Sequence, residues 1–483
     1  MGAYLDIVVP KMGANMITRI ALHDFSEWLN RVDRKPMLLR GARQVGKTRL
    51  VREFAASQRL PLWEVNLEKN RNLNTVFESL DVNTILRELS LVLNTRGVGT
   101  EPGILFLDEI QETPHALTAL RYFYEELPDI PLVAAGSLLE FSLGEGGFSM
   151  PVGRSESYWL GPLSFSEYLL GTGDDLLHHE LQHYQSGASW PLTAHERLMD
   201  RLREYLIVGG MPEAAQAYIN SGNLADAVRV HTSLLETYRD DFSKYAHGAL
   251  LRKLQRVFET APLETGRKVT YRRFHPDWRT VDIRRCVELL TAAGILVPVY
   301  HSAANGLPLG AEENPDVYKL YLLDVGLAGT AAGNSHLSLE EFRTARFLSD
   351  FINTGSLAEQ FVCQQIWSSG SRTSRPKLHY WLREGKTSNA EVDFVLPGAR
   401  SPVPVEIKAG ATGSLRSLHQ FMLRSPSGRA IRLDASPPSS QQVETTASSK
   451  SGRQSVGYQL ESYPLYFAGR LRDFAVSDSV RQS

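Results

Sequence analysis

Two cysteines in 483 residues, Cys286 and Cys363, set a first limit on this chain. They lie far apart in apolar helical contexts, which excludes a disulfide framework and suits buried, reduced thiols in a cytosolic setting. Long hydrophobic runs are missing as well. No stretch approaches the roughly 18 residues that a membrane span needs, and Asp6 and Pro10 interrupt the apolar residues of the N-terminus, so no signal peptide is expected there. Nor is one sign of charge in excess: the formal net charge is −2, and any contact with nucleic acid must come from a local basic patch. What is present, 42% hydrophobic and 22% charged residues, is the make-up of an ordinary globular protein. At this length one core does not suffice, and three or four domains are expected.

The most specific signal lies between Arg40 and Thr48. Gly41, Ala42, Arg43, Gln44, Val45, Gly46, Lys47 and Thr48 fit the phosphate-loop pattern G-x-x-x-x-G-K-[ST] without a mismatch. The glycines let backbone N–H groups close around phosphates, Lys47 supplies a point charge for the β- and γ-oxygens, and the Thr48 hydroxyl is placed to ligate magnesium. A Gly-rich turn with a stray lysine is the plain alternative, and the context opposes it. Met37 to Leu39 reads as a short buried strand before the loop, and Thr48 to Ala56 as a helix after it, which brings phosphates to a helix N-terminus. ATP and Mg²⁺ are the expected ligands.

The apolar run Gly103 to Leu107 ends in Asp108 and Glu109, the form of a buried parallel strand whose C-terminal tip faces a ligand. Asp108 is expected to hold the magnesium and Glu109 to orient or deprotonate the attacking water, so hydrolysis is expected and not mere binding. A further strand, Pro131 to Ala135, ends at Gly136-Ser137. Ser137 lies where a γ-phosphate-sensing polar residue is expected, with a simple Gly-Ser turn as the alternative.

Taken together, the phosphate loop, Leu107 to Glu112 (LDEIQE), Ala134 to Ser137 (AAGS), Val152-Gly153-Arg154 and Gly161 to Glu167 resemble the AAA-type ATPases of bacteria and archaea that carry a C-terminal restriction-endonuclease-like, PD-(D/E)XK-type, domain of unassigned function. Val208 to Glu213, Tyr318 to Gly326 and Tyr463 to Tyr466 agree with it. The resemblance runs from about Met16 onward and is most specific at the ATP site. It implies an α/β fold: a P-loop ATPase sheet with a helical lid, a winged-helix domain and a C-terminal α/β nuclease-like domain. The expected divisions are an N-terminal extension (1–16), the ATPase core (17–165), the lid (166–246), the winged helix (247–335) and the nuclease-like domain (336–483). Arg154 is expected either to reach a γ-phosphate in its own subunit, or in a neighbouring one if the protein is a homo-oligomer, or to form a surface or interdomain ion pair.

In the fourth division, a helix over Val281 to Ala293 followed by strand, polar loop and strand is winged-helix order. Arg272, Arg273, Arg279, Arg284 and Arg285 form a basic cluster there, able to meet the phosphates of DNA, or else a solvated face. In the last division, Glu391 to Leu396 and Val403 to Lys408 read as a hairpin that brings Asp393 beside Glu406, with Glu406 and Lys408 on one face. That D…ExK set resembles the metal centre of restriction-type nucleases, and Glu359 on the preceding helix would match their additional acid. Two carboxylates can hold magnesium against a scissile phosphate while Lys408 positions water. The alternative is a retained fold in which Lys408 merely pairs with the acids.

Two further stretches carry expectations. His179-Glu180-Leu181-Gln182-His183 spells the zinc-protease signature H-E-x-x-H but lacks its context, and a polar helical insertion is expected instead. Ser436 to Ser455, rich in Ser, Gln and Thr, is expected to be a disordered loop.

Overall fold

The computed structural model describes residues 17–136, 139, 153–333, 355–384, 389–408, 415–425, 427–449 and 452–477. The chain divides into two compact units, Met1–Leu160 with Leu170–Thr172, and Gly161–Leu169 with Gly173–Ser483. Residues 1–16 and Ser137 lie outside the described residues.

The first unit opens with helix α1 (Ala21–Leu29) and then alternates strand and helix: β1 (Met37–Arg40), α2 (Lys47–Gln58), β2 (Leu62–Asn66), α3 (Leu73–Glu78), α4 (Val82–Val92), β3 (Ile104–Asp108), α5 (Pro114–Glu126), β4 (Leu132–Ala135) and β5 (Glu156–Trp159). Such alternation demands a parallel sheet, and the strands pair in the order β2-β3-β4-β1-β5, every pair parallel. Sandwiched strands can be apolar throughout, as β3 is, buried along its whole length. Helices start where their ends are satisfied: Asp81 accepts a hydrogen bond from Asn83 N at the head of α4, and Pro114 occupies the first turn of α5, where no N–H is missed. One core packs Leu105, Leu107, Leu132 and Ala134 of the sheet against Ile85 and Leu89 of α4 and Leu117, Leu120 and Phe123 of α5. Each large side chain buried this way contributes about 1.5–3 kcal/mol.

The second unit begins with helices, among them Leu192–Val208 and Leu224–Asp241, in the segment expected to be helical. It then forms an eight-stranded sheet from β6 (Leu296–Ser302), β7 (Glu313–Leu322), β8 (Leu378–Arg383), β9 (Ala390–Pro397), β10 (Pro402–Ile407), β11 (Arg429–Asp434), β12 (Ser439–Ser449) and β13 (Gly452–Pro464), in the order β12-β13-β11-β10-β9-β8-β6-β7. The helix Thr280–Ala292 is followed by β6 and β7 paired antiparallel. That hairpin is not self-contained, however. β6 also pairs in parallel with β8, so one sheet runs across the division expected at 335/336.

The disordered loop expected over Ser436 to Ser455 is corrected: β12 and β13 fill most of it as an antiparallel hairpin in continuous register. Composition misled because β12 is an edge strand, which needs only main-chain bonds on one side and tolerates polar side chains. In β13, Val456, Tyr458 and Leu460 alternate into a core with Trp381, Val392, Val395, Phe421 and Met422. Beside β7, the helix Ser356–Ser368 is fastened by Gln360, whose amide accepts from Leu322 N (2.9 Å) and donates to Leu322 O (2.7 Å). Those two bonds set Glu359, one residue earlier, against the same strand.

Candidate functional site

The nucleotide site grows out of β1 and β3. Gly41 has φ +137°, and a Cβ there would lie 2.1 Å from Leu160 O, so neither the turn nor the approach admits a side chain. Gly46 follows with φ 92° and caps α2, aiming the free amides of the helix start into the loop. Lys47 is only 8% exposed. Its ammonium donates to Gly41 O (2.9 Å) and Ala42 O (2.8 Å), carbonyls of its own loop, and so stands where phosphate oxygens would replace them. Burial pulls this lysine down to about 8, against the opposing pull of Glu109 and Asp108.

Thr48 and Asp108 meet: the hydroxyl donates to Asp108 Oδ2 at 3.0 Å. A hydroxyl and a carboxylate at this spacing are the hard oxygen donors that magnesium takes, so the residues present fit Mg-ATP. Burial pushes the Asp108 carboxyl up while the Thr48 hydroxyl pulls it down. Glu109, directly after β3, sits in the left-handed region, φ 54° and ψ 48°, a strained conformation for a glutamate. Its Oε2 accepts from Gln111 Nε2 at 2.7 Å. Gln111 also crowds the tip of β4, where its Oε1 lies 2.3 Å from a Cβ built on Gly136. Sequence reasoning passed over Gln111, although it lies in the LDEIQE motif. Arg154 is exposed, donates to Glu125 Oε1 at 2.8 Å, and lies over the Tyr124 ring at 5.8 Å. In this structure it is a surface ion pair.

A second constellation lies within the other unit. Register brings the end of β10 against the middle of β9, Val405 opposite Phe394, and Ile407 N donates to Asp393 Oδ2 at 2.7 Å. Lys408 donates to Glu406 Oε1. Glu406 is buried, and among the described residues its other oxygen, Oε2, has no hydrogen-bond partner. The expected D…ExK residues are therefore gathered. Glu359 joins them through Lys319: its Oε2 accepts from Tyr321 OH at 2.8 Å and pairs with Lys319 Nζ at 3.3 Å, and its charge bears on both Asp393 and Glu406.

Lys319, on β7, is the residue that sequence reasoning missed. Its side chain is wholly buried, its ammonium bridges Glu359 and Glu391, lies 4.0 Å from Asp393 Oδ1, and sits 5.2 Å from the centre of the Tyr380 ring. The signal was available, since a lysine inside the apolar strand Tyr318-Lys319-Leu320-Tyr321 is rarely buried without acids to meet it. Burial alone would lower this ammonium, but Glu359, Asp393 and Glu391 together outweigh it and leave it above its ordinary value. Four carboxylates, Glu359, Glu391, Asp393 and Glu406, face two ammoniums, Lys319 and Lys408. Among the described residues the four carboxylates, when ionised, exceed the two ammoniums by two charges (4 − 2), and the cluster shares that surplus, since Lys408 pairs with Glu406 and the single charge of Lys319 is spread over Glu359, Glu391 and Asp393. Burial, reinforced by neighbouring acids, pushes Asp393 well up, and burial likewise raises Glu406 against Lys408. One divalent cation would match that surplus, and the unpartnered Glu406 oxygen gives it a donor. Among the described residues no group of three or more His, Cys, Asp or Glu side chains is arranged to hold a metal, so the fit is to these two carboxylates alone.

The remaining expected sites are plainer. Arg273 pairs with Glu264 (2.9 Å), Arg279 with Asp282 (3.4 Å), Arg284 with Asp316 (2.8 Å) and Arg285 with Glu288 (4.0 Å), all exposed. Pairs between exposed arginines and such acids contribute little to stability. His179 and His183 stack on the helix Asp175–His183 with ring centres 4.0 Å apart, and His183 Nδ1 lies 2.8 Å from His179 O, the polar helical insertion expected. Both cysteines are free and buried. Among the described residues no helix is long and apolar enough to cross a membrane.

Comparison with known proteins agrees with this geometry for one part of the chain. Residues 33–169 match the AAA domain family, residues 199–338 a domain of unknown function, DUF8612, and residues 354–436 another, DUF4143. No functionally curated protein matches. Among solved structures, the ORC2 protein of Aeropyrum pernix in ADPNP-ADP complexes is 14% identical over 67% of this chain and 92% of its own, with a TM-score of 0.32. The ORC1 protein of the same organism in complex with DNA is 14% identical over 64% and 91%, with a TM-score of 0.26. Likeness that faint carries no argument about this chain. The match at residues 33–169 does carry one, because the phosphate loop, the Asp108-Glu109 strand tip and the parallel sheet all fall inside it, and this segment is a P-loop ATPase domain of the AAA type.

Proposed function

We propose that this protein is a cytoplasmic ATPase whose nucleotide state governs a DNA-directed, metal-dependent centre in its nuclease-like second unit. Lys47 and the loop amides would hold the phosphates of ATP, Thr48 and Asp108 the magnesium, and Glu109 would orient the attacking water. Magnesium there would neutralise charge between the β- and γ-phosphates. In the second centre a divalent cation at Asp393 and Glu406 would polarise a phosphodiester, with Lys408 beside it to position water.

The observation that carries this reading is the unpartnered, buried Glu406 oxygen beside Asp393 in a cluster two negative charges in surplus. A second reading, a non-catalytic scaffold serving an ATP-dependent switch that binds DNA or protein, is favoured by Lys319, which already satisfies the other two acids.

Magnesium-dependent cleavage of single- and double-stranded DNA separates the two. The expected result is cleavage by the wild type that vanishes in Asp393→Ala and in Glu406→Gln, each of which removes half the carboxylate pair, and slows in Lys408→Ala. ATP turnover should persist in all three, since the phosphate loop has its own magnesium donors. Wild-type protein that leaves both substrates intact supports the scaffold instead.

A further inference from the structure

We propose that Lys319 is a built-in cation of the second centre, whose ammonium takes the place of a divalent ion between Glu359, Glu391 and Asp393. It rests on the reading of Asp393 and Glu406 as a cation site, and it assigns Glu359 to the lysine and not to the metal. The geometry is specific. A wholly buried ammonium meets Glu359 at 3.3 Å, bridges to Glu391 and stands 4.0 Å from Asp393, while Tyr380 covers it with its ring. Tyr321 OH donates to the same Glu359 oxygen at 2.8 Å, and Gly266 leaves room for it: a Cβ there would come within 3.0 Å of Glu359 Oε2.

Buried carboxylates need a counter-charge, and either an ammonium or a metal supplies it. At one pole of the cluster the chain supplies its own, through Lys319. At the other, Glu406 Oε2 remains unpartnered among the described residues despite burial, although Lys408 occupies its sister oxygen. The centre is therefore built for a single divalent ion at Asp393 and Glu406, and Lys319 excludes a second from the Glu359 side.

Removing the ammonium while keeping the stem, Lys319→Met, should turn its pocket into a cation site. The test is Mn²⁺ binding to nucleotide-free, full-length protein, read by titration calorimetry and by the loss of the free-ion electron paramagnetic resonance signal. Any weak ion at the phosphate loop contributes equally to every variant. Lys319→Met should bind one more Mn²⁺ than the wild type, the extra ion should vanish when Glu359→Gln is added, and Mn²⁺ should raise the variant's unfolding temperature more than the wild type's. A wild type that binds no ion lost on Glu406→Gln, beside a Lys319→Met protein that gains one, sinks the metal reading of Asp393 and Glu406 and keeps the role of Lys319. Equal stoichiometry in the wild type and Lys319→Met overturns the proposal. So does a Lys319→Met protein that fails to fold even when refolded with Mn²⁺, while Lys319→Met with Glu359→Gln, which removes one charge of each sign, folds without the ion.

Discussion

Lys47 shows how one residue's surroundings prepare it for its ligand. Its ordinary value is 10.5 and burial lowers it to about 8. The unfolded chain therefore holds more protons than the folded one between those values, so this lysine's contribution to stability rises with pH across that window and is least favourable below it. Triphosphate oxygens favour the ammonium and reverse the shift. Nucleotide binding at about pH 8.5 should then take up a proton, while at about pH 6.5, where Lys47 is already charged, it should take up none. Calorimetry in two buffers of different ionisation enthalpy reads this directly, and identical heats in both at the higher pH would refute it. Gln111 is the companion case: a bond of 2.7 Å from its amide holds Glu109 in a strained backbone conformation, which ties the residue placed to act on water to the tip of β4.

At the scale of elements, the helix Thr280–Ala292 and its approach carry the basic cluster, and nearly every arginine in it has an acidic neighbour. Exposed pairs of this kind contribute about 0–1 kcal/mol, so DNA phosphates can displace the acids at little cost. If the helix meets DNA, replacing Arg284 and Arg285 together by alanine should weaken binding on every sequence and lower the salt dependence by about one phosphate contact per residue. Fluorescence anisotropy across a salt series measures both. An unchanged slope would return these arginines to a solvated face. The hairpin of β12 and β13 teaches a related lesson about elements: its polar composition hid a strand pair because what places β12 is main-chain bonding to β13, and what places β13 is the alternation of Val456, Tyr458 and Leu460.

For the whole molecule, the question is whether two centres in one chain are coupled. Glu109→Gln removes the group placed to act on water but none of the groups that hold phosphate, so ATP turnover should fall on the order of 10²- to 10⁴-fold while nucleotide binding persists. That variant then holds one nucleotide state. If the state governs the second centre, DNA cleavage by Glu109→Gln with ATP should differ from cleavage by the wild type and no longer change with time as ATP is consumed. Cleavage indifferent to ATP in both proteins would end the coupling while leaving each centre intact.

The linear pattern alone was enough for the ATP site, because a phosphate loop is a contiguous segment whose chemistry depends on local backbone freedom and on residues a few positions apart. Gly41, Gly46, Lys47 and Thr48 carry that information side by side, and Asp108 follows at the end of an apolar run that can only be a buried strand. The hairpin carrying Asp393, Glu406 and Lys408 was readable for the same reason, since period-two alternation and a short turn are local. What waited for the folded chain was everything that depends on distant partners. Lys319 and Glu359 are 40 positions apart, and no spacing rule announces that they meet. The pairing of β6 with β8, which merges two expected domains in one sheet, is a long-range hydrogen-bond choice. So is the partner of Arg154, whose surroundings in sequence leave a phosphate contact and an ion pair both open and which in the fold is paired with Glu125. Charge compensation inside a protein is decided by which side chains share a buried volume, and that is a property of packing.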